Sequence, residues 1–329
     1  MKQLIQDFPQ HLADGLHIAQ QASLKPAARE IRQVVITGLG GSGIGGTIVS
    51  ELMASRCKVP IVVNKGYSLP AFVNPYTLVL VSTYSGNTEE TLSALSHADA
   101  AGAEIGIITS GGQALEYAQE KGCNHIVVPG GNPPRSMFGY SFVQLLKYLS
   151  HYGLVDGEVM NEVSHSIQLL EEEGATLRAA GTELAGFLQN KMPVVYAGDG
   201  FEGVAVRFRQ QFNENSKMVG YTGMVPEMNH NELVGWAGGG DHMAVVFFRN
   251  ESDDARVQKR MDINKEIVER YTPHVREVWS KGGNDIERAL YLIHLGDWAS
   301  YDLSELNDVD VMEIEVIDYL KSELAKFKA

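Results

Sequence analysis

Apolar runs alternate with helical patterns along the first half of the chain. Runs rich in Val and Ile, each of the length of a strand, lie at residues 34–37, 61–63, 78–81, 105–108 and 126–128. These runs are apolar on both faces, and helical patterns separate them. They therefore predict a parallel sheet that is covered by helices on both sides.

A second alternating series follows a turn-rich breaker at residues 130–134. Its predicted strands lie at residues 194–197, 243–248 and 275–279. Predicted helices lie at residues 138–152, 285–306 and 312–327, and a polar helical stretch at 156–189 is interpreted as a bridge between domains. Each series opens with a strand, a glycine-rich turn and a helix, which indicates a weak internal duplication. The sequence thus predicts two doubly wound α/β domains in tandem, at residues 1–153 and 154–329.

Both glycine-rich turns, at residues 38–43 and 198–203, match the pattern G-x-G-x-x-G. A dinucleotide site would also need an acidic residue at the end of the second strand, where this chain has Asn64 and Lys65. In the second turn, Asp199 and Glu202 would repel a pyrophosphate. The alternative is that the glycines only allow a tight turn and close helix packing, and we prefer it for the second turn.

The stretch from residue 83 to residue 91 reads TYSGNTEET and directly follows the third predicted strand. Its hydroxyl groups precede a helix start, where free N–H groups and the helix dipole favour an anion. Ser42 lies at another predicted helix start at the same sheet edge, so the two turns are expected to converge on a compact monophosphate. The alternative is simple capping, with Asn87 as N-cap and Glu90 completing a capping box.

Composition restricts the class of protein further. The chain has 329 residues, is 44% hydrophobic and carries a formal net charge of −14, which disfavours nucleic acid or an anionic membrane as the main partner. Cys57 and Cys123 are the only cysteines, so we expect neither a disulfide framework nor a metal site built on thiols. The first residues resemble no signal peptide, and no apolar run is long enough to span a bilayer. We expect a soluble cytoplasmic protein.

The order strand, GxGGSG, helix, strand, (S/T)YSGNTxET, helix resembles the sugar isomerase (SIS) domain. The resemblance implies a phosphosugar-binding module of flavodoxin-like topology, present here twice. It places the phosphate loop at Thr83, Ser85 and Thr88, with Gly41 and Ser42 opposite. Thr83 stands where the family commonly has Ser, and it keeps the hydroxyl group.

Three segments of the second half resemble the bifunctional phosphoglucose/phosphomannose isomerases, a branch of the phosphoglucose isomerase superfamily. They read NEN at residues 213–215, PEMNHNE at 226–232 and YLKSEL at 319–324. The resemblance covers nearly the whole chain in order. It implies an aldose-ketose isomerase that needs no metal or cofactor, acts on glucose 6-phosphate and mannose 6-phosphate, and forms a homodimer. Residues 310–315 lack the proline-containing pattern that we associate with the family.

The resemblance also implies a role for four residues. Glu214 would shuttle a proton through a cis-enediol, and Arg135 would stabilise the enediolate charge. His230, from the partner subunit, and Lys321 would open the sugar ring. Each residue has an ordinary alternative: a solvated helix-end carboxylate for Glu214, a plain salt bridge for Arg135, a helix cap for His230 and a wet helix face for Lys321.

Two other functions fit a phosphosugar-binding domain. A non-catalytic phosphosugar sensor that regulates transcription would normally bring a DNA-binding helical module and a basic surface, and this sequence has neither. The isomerase half of a glucosamine 6-phosphate synthase would need an amidotransferase domain with an amino-terminal nucleophilic Cys, where this chain has Met1 and Lys2. Candidate acid/base residues accompany the phosphate loop, so the catalytic interpretation is preferred.

Overall fold

The computed structural model describes residues 1–327 and contains two parallel sheets. The strands of the first sheet are β1 (Gln33–Thr37), β2 (Ile61–Asn64), β3 (Thr77–Ser82), β4 (Glu104–Thr109) and β5 (Asn124–Val127). They lie in the order β2-β1-β3-β4-β5, which is the flavodoxin-like order. The five strands predicted for this half are confirmed, with β5 starting and ending slightly earlier than expected.

The second sheet has one strand that the apolar pattern did not predict. Its strands are β6 (Met192–Ala197), β7 (Tyr221–Met224), β8 (Met243–Arg249) and β9 (Val275–Trp279). Their order, β7-β6-β8-β9, repeats the first four positions of the first sheet. The missed strand, β7, reads YTGM and lies at the sheet edge with only Gly223 buried. An edge strand of this kind needs no continuous apolar run, because one side of it stays wet.

Twelve α-helices surround the sheets of the described chain. They are α1 (Lys2–Gln6), α2 (Phe8–Gln21), α3 (Gly40–Leu52), α4 (Glu89–Ala100), α5 (Gly112–Lys121), α6 (Phe138–His151), α7 (Glu158–Glu172), α8 (Gly174–Leu188), α9 (Glu202–Asn215), α10 (Ala255–Val268), α11 (Asp285–Leu306) and α12 (Glu315–Leu324). The polar stretch predicted as one helical bridge is two helices, α7 and α8. The predicted helix at 285–306 is confirmed as α11. Helix α12 is shorter than predicted: it starts only at Glu315, after Asp310 and Glu313 accept the N–H groups of Met312 and Glu315, and it ends at Leu324.

One continuous hydrophobic core joins the two halves. It includes Val34 and Ile36 of the first sheet together with Val195 and Val246 of the second. Helix α11 packs on α7, α8 and α9, and α3 packs on α9. The predicted boundary between residues 153 and 154 lies between the two sheets in the chain. The division into two domains at this point remains a prediction.

Within residues 1–327, the helices are all too short or too polar to cross a membrane.

Candidate active site

The hydroxyl-rich turn lies at the carboxyl end of β3, and its glycine has a clear structural reason. Gly86 has a φ of +69°, and a Cβ atom on it would lie 1.8 Å from the carbonyl oxygen of Gly111. Thr83 is buried directly after the strand, and its Oγ1 lies 3.4 Å from Oγ1 of Thr88. Ser85 is exposed at the tip of the turn, so the turn presents hydroxyl groups at the start of α4.

The capping box that was the alternative interpretation of this turn is not formed. Helix α4 begins at Glu89, with Thr88 in the N-cap position. The side chain of Asn87 instead accepts the N–H of Gln113 at 3.1 Å and donates to the carbonyl of Ser85 at 3.2 Å. Since Asn87 is occupied in tying the turn to the start of α5, the α4 N-terminus has no side-chain cap. Its first N–H groups therefore have no intrahelical partner.

The first glycine-rich turn lies beside this loop, as expected. Ser42, in the first turn of α3, accepts the backbone N–H of Tyr84 at 3.2 Å. A Cβ atom on Gly41 would lie 3.1 Å from the carbonyl oxygen of Pro134, so the absence of a side chain lets the segment that carries Arg135 approach α3. The two turns and the Arg135 segment thus converge at the carboxyl edge of the first sheet.

The structure brings Arg135 and Glu214 together, although they lie in different halves of the sequence. Arg135 is in a short 3-10 helix (Pro134–Ser136) and is only 4% exposed. Its NH1 lies 3.2 Å from Oε2 of Glu214, which is next to last in α9. The carbonyl end of α9 also favours a cation at this point. Burial lowers the pKa of Arg135, and the charge of Glu214 opposes that shift.

The remaining nitrogens of Arg135 are also bound. Nε donates to Oδ1 of Asn215 at 2.7 Å, and NH2 donates to the carbonyl of Val311 at 2.6 Å. Lys217 donates to the carbonyls of Glu214 at 2.6 Å and Glu313 at 2.8 Å, and burial lowers its pKa. The segment before α12 is therefore attached to the candidate site. Guanidinium has five N–H groups, so Arg135 keeps donors for a ligand beside Glu214.

His230 and Lys321 do not join this cluster within one chain. His230 ends a 3-10 helix (Glu227–His230), is exposed, and makes no side-chain hydrogen bond or ion pair within the described residues. The side chain of Lys321 is 70% exposed, and its Nζ lies 3.7 Å from a carboxylate oxygen of Asp318 in the same helix. Their predicted catalytic roles stay predictions.

The second glycine-rich turn is occupied by the protein itself. The N–H of Gly203, in the first turn of α9, donates to both carboxylate oxygens of Glu51 at 2.8 and 3.1 Å. A Cβ atom on Gly203 would lie 2.7 Å from the side chain of Ile48, so glycine is needed for α3 and α9 to pack. With Asp199 and Glu202 nearby, this turn serves helix packing rather than binding of a phosphate.

Comparisons with known proteins decide the family. Residues 178–324 match the model of the bacterial phospho-glucose isomerase C-terminal SIS domain. A bifunctional phosphoglucose/phosphomannose isomerase from Caldicellulosiruptor bescii is 36% identical over 339 residues, covering 100% of both chains. The chain belongs to the bifunctional phosphoglucose/phosphomannose isomerase family. The family resemblance predicted from the sequence is therefore confirmed.

Two further proteins show how far the likeness extends. A D-glucosamine-6-phosphate 4-epimerase from Sulfolobus acidocaldarius is 30% identical over 257 residues, covering 76% of this chain and 78% of its own. The C-terminal domain of glucosamine-fructose-6-phosphate aminotransferase from Francisella tularensis superposes with a TM-score of 0.75. That superposition covers 94% of this chain and 96% of the other at 13% identity, so it supports the fold alone. The predicted α/β fold of two SIS domains in tandem is confirmed.

Sequence reasoning missed the residues that hold the cluster together. Asn215 is fully buried against Arg135, and Lys217 bridges two segments of the site. Both follow Glu214 closely, but the family resemblance implied a role for Glu214 alone in this segment. The feature that marks Asn215 is the burial of its amide at the last position of a helix, and burial is not visible in a single sequence.

Proposed function

We propose that the protein interconverts glucose 6-phosphate and fructose 6-phosphate, and mannose 6-phosphate and fructose 6-phosphate. One observation carries the proposal: Glu214 and the buried Arg135 form an ion pair next to a hydroxyl-rich turn at a helix start. Together they supply an anion site, a carboxylate and a fixed cation. These are the groups that phosphate binding, proton transfer and enediolate stabilisation require.

In the proposed mechanism, Thr83, Ser85 and Thr88 bind the phosphate with the N-terminus of α4, and Gly41 and Ser42 lie opposite. The open-chain aldose then presents C1 and C2 to Glu214. Its carboxylate takes the proton from C2, and the electron pair moves to form a cis-enediolate with charge on the C1 oxygen. Arg135 stabilises that charge. The proton of the C2 hydroxyl then passes to the C1 oxygen, and the same carboxylic acid returns its proton to C1 as the C2 oxygen becomes the ketone.

The two sugars differ only in configuration at C2, the carbon that loses its proton. Both aldoses and the ketose therefore share an enediol, and rotation about C2–C3 would let Glu214 reach either face. One base would then serve glucose 6-phosphate and mannose 6-phosphate. We further propose that residues 1–153 form the phosphate-binding domain and residues 154–329 the domain that carries the proton-transfer groups.

Ring opening requires a proton to leave the C1 hydroxyl and another to reach the ring oxygen. We propose that His230 and Lys321 perform these transfers, with His230 contributed by the partner subunit of a homodimer. The exposure of both side chains in one chain supports this arrangement. The exposure of α12 also supports it, because its apolar residues Val316 and Leu320 are 77% and 58% exposed in one chain.

A coupled assay tests the isomerase. Fructose 6-phosphate should yield glucose 6-phosphate, detected with a glucose 6-phosphate dehydrogenase, and mannose 6-phosphate should yield the same product. Glu214→Gln keeps the shape of the side chain but removes the base, so turnover should fall about 10²–10⁴-fold while phosphosugar binding measured by calorimetry persists. Binding without turnover in the unmodified protein would favour a sensor, and 4-epimerisation of glucosamine 6-phosphate would favour the activity named for the Sulfolobus relative.

Subunit mixing tests the shared site. Glu214→Gln and His230→Ala homodimers should each be inactive, since every site lacks one group. In a mixed dimer one site carries both changes and the other carries neither. After statistical subunit exchange, about a quarter of the unmodified specific activity should return, because half of the dimers are mixed and each has one intact site of two. If the mixture stays inactive although mass spectrometry detects mixed dimers, His230 does not act across the interface.

A further inference from the structure

Arg135 is held from behind by a buried hydrogen-bond chain whose members have no assigned role. Asn215 and Ser300 are both 0% exposed, and the chain runs from Arg135 through Asn215 to Ser300 in α11. Oδ1 of Asn215 accepts Nε–H of Arg135 at 2.7 Å. Nδ2 of Asn215 donates to Oγ of Ser300 at 2.9 Å.

The chain has a single consistent direction. A guanidinium group only donates, so the amide oxygen of Asn215 must face Arg135. The hydroxyl of Ser300 donates to the carbonyl of Asp297 at 2.8 Å and is left to accept from the amide nitrogen of Asn215. If the amide of Asn215 were flipped, its nitrogen would face the Nε–H of Arg135. That buried N–H group would then have no acceptor.

Arg207 of α9, which is bound to Asp297 in the same part of α11, also holds the backbone of Arg135. NH2 of Arg207 donates to the carbonyl oxygen of Arg135 at 3.2 Å and to the carboxylate of Asp297 at 2.8 Å. Gln211 adds a hydrogen bond to Asp297 at 2.7 Å. Arg135 is therefore fixed at its backbone and at Nε. Its NH2 also donates to the carbonyl of Val311 at 2.6 Å, and its NH1 faces Glu214 at 3.2 Å.

We propose that Asn215, oriented by Ser300, is a positioning residue that sets the plane of the Arg135 guanidinium for enediolate stabilisation. The inference rests on the proposed isomerase function, because it assigns Asn215 a part in that reaction through Arg135. It predicts an effect on the transition state rather than on binding of the sugar phosphate, since Asn215 is sealed behind Arg135 and touches no open part of the site.

The test compares Asn215→Ala and Asn215→Asp in the isomerase assay. Asn215→Ala should lower kcat about 10- to 100-fold, the scale of a misplaced catalytic group, with KM for fructose 6-phosphate changed less than about threefold. Asn215→Asp keeps an oxygen acceptor for Nε but lacks the donor to Ser300, so it should recover part of that loss. Asn213→Ala is the matched control, because Asn213 is an exposed member of the same NEN segment, and its kcat should stay within about twofold of the parent.

Circular dichroism and the melting temperature establish that each variant is folded. If Asn215→Ala does not fold, Ser300→Ala replaces it, since loss of one hydroxyl frees the amide of Asn215 and should lower kcat several-fold at unchanged KM. An active parent with an equally active Asn215→Ala or Ser300→Ala, or an Asn215→Asp no better than Asn215→Ala, overturns the positioning role. An inactive parent instead overturns the proposed function itself.

Discussion

The contact between Glu51 and Gly203 predicts an unusual dependence of stability on pH. It joins α3 of the first half to α9 of the second through two hydrogen bonds of 2.8 and 3.1 Å. Burial raises the pKa of Glu51 to about 7, and Glu202 and Asp199 act in the same direction. The N–H of Gly203 and the charge of Lys65 oppose the rise.

The direction of this pH dependence follows from the difference between the pKa of Glu51 in the folded chain and in the unfolded chain. In the unfolded chain the carboxyl group titrates near its ordinary value of 4.5, whereas the folded protein keeps the proton up to about pH 7. The folded state thus binds the proton more tightly, and stability from this group is fully present below pH 4.5. It is lost as the pH rises through 7, with a total of about 3 kcal/mol.

Glu51→Gln removes the titration and keeps an oxygen that accepts the N–H of Gly203. The variant should exceed the parent in free energy of unfolding at pH 8, and the gap should shrink by about 2–3 kcal/mol on going to pH 5. Urea denaturation followed by circular dichroism at both pH values measures this gap. Glu202→Gln is the control. Glu202 is exposed and lies beside Gly203 in the first turn of α9, so the stability difference of this variant from the parent should change much less with pH. A gap that does not vary with pH would refute the reasoning.

Two further predictions concern stability. Gly86→Ala should lower the free energy of unfolding by about 3 kcal/mol or more, because its φ is positive and the new Cβ would overlap the carbonyl of Gly111. A thermal melt measures the loss, and Gly66→Ala is the control, which should be nearly neutral because no atom lies within 4 Å of its Cβ position. Asp297→Asn should lower the free energy of unfolding by about 3–5 kcal/mol, since it leaves Arg207 buried without its anion. Urea denaturation measures this loss. The double variant Asp297→Asn with Arg207→Met removes the unpaired cation and should recover part of the loss.

Periodicity predicted the fold well wherever strands are buried on both faces. Every residue of β3 is buried, and the corresponding apolar run stands out in the sequence. The missed strand β7 is an edge strand with Tyr221 exposed and Gly223 at its centre, so its neighbours rather than its composition make it a strand. The break between α7 and α8 was missed for a similar reason, because Gly174 and its neighbours do not interrupt the helical pattern of polar residues.

The two ends of the candidate site differ in how far the sequence predicts them. The proposed phosphate-binding turn is local: Thr83, Gly86 and Thr88 lie within one loop, so their convergence follows from the strand and the helix that flank them. The Arg135–Glu214 pair spans 79 residues. It also depends on α11, whose Ser300 and Asp297 bind Asn215 and Arg207, the two residues that hold Arg135. No pattern of spacing contains that information, and only the family resemblance had linked the two residues.

His230 and Lys321, the residues proposed for ring opening, pose a different problem. Their surroundings in one chain are the same for the catalytic and for the ordinary interpretation. An exposed Lys321 beside Asp318 looks like any helix-surface ion pair, and such pairs contribute little stability. Yet the segment that leads to α12 is bound to Arg135 through Val311 and to Lys217 through Glu313, which keeps the start of α12 close to Glu214. These hydrogen bonds place the start of the helix that carries Lys321 beside the site, although Lys321 itself does not contact the site within one chain. Subunit mixing, rather than a more detailed view of one protomer, therefore decides whether ring opening belongs to the dimer.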